Sequence, residues 1–167
     1  MLFLLISSLI VLYAIPLDAS NGKHTSVQLA NEIFGINTTE VQDAVNVKTQ
    51  MLACSGGQLN YVAACGPEDS TCNNELVTNG ILEVPINENI TGVKSGTVKN
   101  WVMAEAQVLL NDTGTDLFSF EQIMLVIPDE ASWGSAAAWA YRPGYISAFR
   151  DNYAYRVGTQ VHEFGRK

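Results

Sequence analysis

Basic residues are scarce in this chain. Only 9 Lys and Arg stand against 17 Asp and Glu, a formal charge of −8, and the few cations are scattered. Affinity for phosphate backbones and anionic lipid comes from clustered Lys and Arg, so nucleic acid and acidic membrane surfaces are excluded as partners of a basic face. Histidine is scarcer still: 2 residues, His24 and His162. A centre built from three imidazoles cannot be assembled from these alone. The 3 cysteines, Cys54, Cys65 and Cys72, lack the paired spacing of a structural zinc site. Apolar runs of bilayer-spanning length are missing too, so no stable membrane insertion is expected.

The longest apolar run, "MLFLLISSLIVLYAI", extends over about 15 residues at the N-terminus and is followed by Pro16 and the polar "DASNGKH". This has the length of a secretory h-region with small residues after it, and residues 1–19 are read as a signal peptide. An uncleaved anchor is the competing reading, and no Lys or Arg supplies an n-region. Residues 20–26 form a polar linker, and 27–167 one domain with 47% apolar content over the whole chain, enough for a core. Three Asn-x-Thr sequons, at Asn37, Asn89 and Asn111, fit passage through a glycosylating, oxidising compartment. There, an odd number of cysteines leaves at least one unpaired within the chain. Cys65 and Cys72 flank a short loop and could close a disulfide, with Cys54 left over; three reduced thiols would require a cytosolic protein.

Helices and strands alternate along the domain. "SVQLANEIFG" carries Val27, Ala30, Ile33 and Phe34 at helical spacing before Gly35, and "VNVKTQMLACSGG" reads as a short helix ending at Gly56-Gly57. "QLNYVAA" alternates as a strand, and "ILEVPIN" is a second, with Pro85 pointing to an edge. In "SGTVKNWVMAEAQVLLN", Val98, Trp101, Val102, Ala106 and Leu109 predict one apolar helical stripe closed by Asn111. Ile123 to Ile127 fit a buried strand stopped by Pro128, and "SAAAWAYRPGYISAF" two strands about a Pro143-Gly144 turn. "DNYAYRVGTQVHEFG" predicts one last helix, capped by Asp151 or Asn152, with Tyr153, Val157, Val161 and Phe164 on one face and Gly158 weakening it. The fold class is α/β (α+β).

His162-Glu163 on that helix begins the His-Glu-x-x-His pattern of zinc hydrolases. Histidines four apart share a helix face and can bind one Zn²⁺, while the Glu, about a hundred degrees away, serves as general base. Position 166 is Arg, however, which has no lone pair to donate and stays protonated. A bare His-Glu pair on an amphipathic helix is otherwise an ordinary polar face.

The stretches "VNVKTQMLACSGGQLNYV", "VTNGILEVPI", "AAAWAY" and "GYISAFRDNYAYRVGTQVHEFG", in that order, resemble the gametolysin family of secreted metallopeptidases over most of residues 27–165. The resemblance implies a zincin-type fold, a twisted mixed sheet with a backing helix and a metal-site helix beneath it, here lacking its lower subdomain. It implies a secreted monomeric zinc endopeptidase acting on extracellular matrix or cell-wall glycoproteins, with His162 as first zinc ligand and Glu163 as catalytic base. "SAAAWAY" would be the edge strand that aligns substrate. Arg166 departs from the second ligand and the third falls beyond Lys167, so this chain is expected to be truncated, not to hold the zinc, and to be inactive as it stands. Arg166-Lys167 can be encoded by a splice-donor sequence and is read as translated intron. The alternative is a non-catalytic secreted glycoprotein that binds matrix or a partner protein.

Overall fold

The computed structural model describes residues 5–16, 25–35, 46–66, 68–69, 72, 74–140 and 145–165. In chain order its elements are β1 (Leu5–Pro16), α1 (Ser26–Phe34), α2 (Val47–Cys54), β2 (Leu59–Ala63), β3 (Val77–Thr78), β4 (Ile81–Ile86), α3 (Ser95–Asn111), β5 (Gln122–Ile127), β6 (Ala138–Ala140), β7 (Ile146–Arg150), α4 (Asp151–Ala154) and α5 (Val157–Gly165). The seven strands form one mixed sheet ordered β3-β4-β1-β5-β7-β6, with β2 paired to β1 beside β4.

The N-terminal apolar run occupies the middle of that sheet. Along one flank of β1, Leu5–Leu9 pair with β2 and Val11–Pro16 with β4; along the other, Leu9–Tyr13 pair with β5, all in parallel. β5 continues in parallel to β7, and β3 and β6 close the two ends antiparallel. Side chains alternate between two cores, as the period of two requires. Ile10, Leu12 and Ala14 of β1 join Ile123, Leu125 and Ile127 of β5 under α3, while Leu9, Val11 and Tyr13 join Met124 and Val126 under α1, α2 and α5.

Local signals explain the helices. Thr25 and Gln28 form a reciprocal capping box at the start of α1, and Gly35 ends it in the left-handed conformation its φ of 71° demands. Asn46 and Thr49 do the same for α2. On α3 the buried stripe is Val98, Val102, Ala106 and Leu110, four residues apart; the expected Leu109 is only half-buried because the stripe drifts forward by one residue over three turns. Gln107 Nε2 donates to Asn111 Oδ1 at 2.6 Å in its last turn.

Asn79 and Gly80, at φ 52° and 82°, make the tight turn of the β3–β4 hairpin. A Cβ on Gly80 would lie 2.7 Å from the Phe34 ring, so glycine is required there twice over. Pro85 is exposed on the stretch of β4 that the two-residue β3 does not reach, which reconciles proline with a strand that is otherwise internal. β6 and β7 pair about a segment, 141–144, that includes Pro143-Gly144 and lies outside the described residues.

The last expected helix is two. α4 stops at Ala154, Tyr155 and Arg156 turn the chain, and α5 starts afresh with the amides of Thr159 and Gln160 donating to Arg156 O at 2.9 and 3.1 Å. Arg150, not Asp151 or Asn152, occupies the N-cap of α4, and Asp151 is buried inside its first turn. The Arg156 guanidinium lies 4.6 Å over the Tyr153 ring, which holds Tyr153 outside the apolar face predicted for it.

Candidate functional site around helix α5

α5 packs against α2, β6 and β7. Its anchor is Phe164, 3% exposed, whose ring meets Tyr61 of β2 at 5.5 Å and Phe149 of β7 at 6.0 Å. Gln160, fully buried, donates from Nε2 to the Ala154 carbonyl across the break between α4 and α5. These contacts fix which way the helix presents its remaining side chains. Val161 is half-buried against the same core.

His162 points outward, its side chain 62% exposed, whereas the side chain of Glu163 is 8% exposed. Their closest approach, Nε2 to Oε1, is 3.9 Å, beyond hydrogen-bond length. Helical spacing had placed the two about a hundred degrees apart, and the structure shows the outcome: the imidazole is available to a ligand and the carboxylate is turned into the domain. His24 and Arg166 lie outside the described residues.

A catalytic zinc takes three protein ligands and leaves one position open. Among the described residues His162 is the sole histidine, and no three His, Cys, Asp or Glu side chains gather as a metal-binding group. The residues present therefore do not fit a zinc ion by themselves.

β6 borders this region. It is the terminal strand of the sheet, pairing with β7 alone among the described strands, and it lies against α5. An unpaired strand edge offers a row of backbone donors and acceptors to an extended peptide.

Two polar clusters were not anticipated from the sequence. At the carboxyl ends of β5 and β7, Arg150 Nε donates to Asp129 Oδ1 at 2.8 Å and Asn152 Nδ2 donates to the other Asp129 oxygen. This ties the loop after β5 to the start of α4. The second cluster joins Tyr13 of β1 to Tyr155 and Asp151 at the α4–α5 junction. Burial, then the Asp151 carboxylate, push the Tyr13 hydroxyl up to about 12 against the opposing effect of Tyr155. The same causes, burial first, raise Tyr155 further. Tyr61, beneath Phe164, is also pushed up to about 12 by burial and then by Glu121. No sequence signal marks either cluster, because its members lie far apart in the chain.

Elsewhere, Cys65 and Cys72 form a disulfide and Cys54 is exposed and free. Asp69 Oδ2 accepts from the Cys65 amide at 3.1 Å inside the disulfide loop. Asn89 and Asn111 are exposed, with Asn89 Oδ1 accepting from the Thr91 amide at 2.9 Å; Asn37 lies outside the described residues. No helix among the described residues is long and apolar enough to cross a membrane.

No family model, curated protein or solved structure matches this chain.

Proposed function

We propose that this chain is the sheet-bearing part of a secreted zinc metalloendopeptidase of the gametolysin type, with a zincin fold, acting on matrix or cell-wall glycoproteins. The observation that carries the reading is the placement of α5: it packs against β6, a terminal strand of the sheet among the described residues, and turns His162 outward. A peptide added to β6 would lie close to that imidazole. In this reading His162 is the first zinc ligand and Glu163 the general base, the latter needing to swing out of its buried position. The other two ligands come from sequence not contained in this chain, and residues 166–167 stand where the second belongs. The Cys65–Cys72 disulfide and the exposed sequons at Asn89 and Asn111 support an extracellular location.

One observation favours a second reading. Glu163 is buried and position 166 is a cation, as suits a secreted glycoprotein that binds matrix or a partner protein without cleaving it. The two separate on one experiment. With the genomic sequence past codon 165 restored, the enzyme reading expects about one zinc per chain. It also expects casein cleavage that Glu163→Gln abolishes while zinc is retained. Absence of both zinc and cleavage, or the lack of an in-frame histidine at position 166 in the gene, overturns it in favour of the binding protein.

A further inference from the structure

A leader cut near residue 19 and a central strand are mutually exclusive fates for the same residues. We infer that Leu5–Pro16 is a permanent strand of the folded protein and remains in the functional chain, with β1 joining the two halves of the sheet.

The pairing shows what β1 connects. Among the described residues β2 has no other strand partner, and β4 has besides β1 the two-residue β3 alone. On the opposite flank β5, β7 and β6 form a separate ladder. Without β1 the sheet falls into a β3–β4 hairpin, a lone β2 and a three-stranded remnant. The backbone amide of Val11 donates to Gly80 O at 2.8 Å and that of Ala64 to Leu9 O at 3.0 Å, so a turn carbonyl and a loop amide as well as strands are satisfied by this segment.

The side chains agree. Leu9, Ile10, Val11 and Leu12 are all 0% exposed, and they alternate between two different cores. A transient h-region needs only bulk hydrophobicity, whereas a strand buried on both faces needs apolar residues at every position, and both demands produce the same run over residues 9–15. β1 also reaches the candidate site: Tyr13 is hydrogen-bonded to Tyr155 at the turn from which α5 begins and feels the Asp151 carboxylate of α4, and Leu9 and Val11 share a core with Phe164. Export then calls on a signal other than Leu5–Pro16. All of this holds whether or not α5 carries a metal.

The test is hydrogen exchange on the full chain, refolded in vitro so that export plays no part, read beside its intact mass. Amides of residues 9–13 should exchange within about tenfold of those of 123–127, as members of one cooperative unit. Val11→Asp, refolded the same way, should lose the cooperative melting transition. Exchange of 9–13 at the rate of unstructured peptide, or unchanged melting in Val11→Asp, overturns the inference. So does a soluble, cooperatively melting product from the native host whose N-terminus lies beyond Pro16.

Discussion

The two faces of the sheet are built differently. One is covered by a single 17-residue helix, α3, whose four buried residues recur every fourth position and whose start is tied to the loop after β5 by the Ser95 amide donating to Ser132 O at 3.0 Å. The other is covered by four short helices, none longer than 9 residues, with a chain break before the last. The α3 face buries aliphatic side chains almost exclusively; the opposite face buries Gln160, Glu163, Asp151, Tyr13 and Tyr61 among them. A continuous helix on a regular stripe makes a stable wall. Short helices place more side chains at termini, where polar groups are positioned individually, and the one candidate ligand among the described residues, His162, is found there.

Substitutions should separate the two faces. The largest effect is expected for Val102→Asp, which puts a carboxylate into the fully buried stripe of α3 and should cost about 4 kcal/mol or more, removing the thermal transition altogether. Phe164→Ala should cost about 3 kcal/mol. Its signature is selective: amides of α5 lose exchange protection while those of α3 keep theirs. If both faces lose protection together, the distinction between them fails. Alkaline titration probes the same face without mutation. Burial pushes the Tyr13 and Tyr61 hydroxyls up to about 12 from their ordinary value of about 10. Stability from these rings is complete below about pH 10 and is lost as the pH rises towards 12, up to about 2–3 kcal/mol per ring. Denaturant midpoints measured across that window should fall, and less steeply in Tyr61→Phe. Cys72→Ser, which opens the short loop at the sheet margin, should cost about 2 kcal/mol in urea melts and leave both faces equally protected.

Much of the fold is legible in the sequence where the pattern and the burial have one cause. The capping residue Gly35, the alternation in β2 and the apolar run of β5 each name their element, whereas Thr25, read as linker, turns out to be the N-cap of α1. Legibility ends where neighbours in space decide. The break at Tyr155–Arg156 follows from docking Phe164 between Tyr61 and Phe149, contacts to strands that no local window contains. The forward drift from Leu109 to Leu110 follows from packing α3 against the sheet. Residues 9–15 are ambiguous for a plainer reason: hydrophobicity at every position identifies burial and leaves its kind open. At the site, helical spacing separates His162 from Glu163, but which of the two faces solvent is set by the position of Phe164.

The parallel pairing of β1 also fixes a timetable. β1 has its partners at residues 59–63, 81–86 and 122–127, so once it is synthesised its ladder stays incomplete until more than a hundred further residues have been added. At synthesis rates of about 5–20 residues per second that is a wait of roughly 6 to 20 seconds for a largely apolar segment. During it the chain is an obligate client of whatever shields nascent apolar segments, and slow translation should aggravate its aggregation.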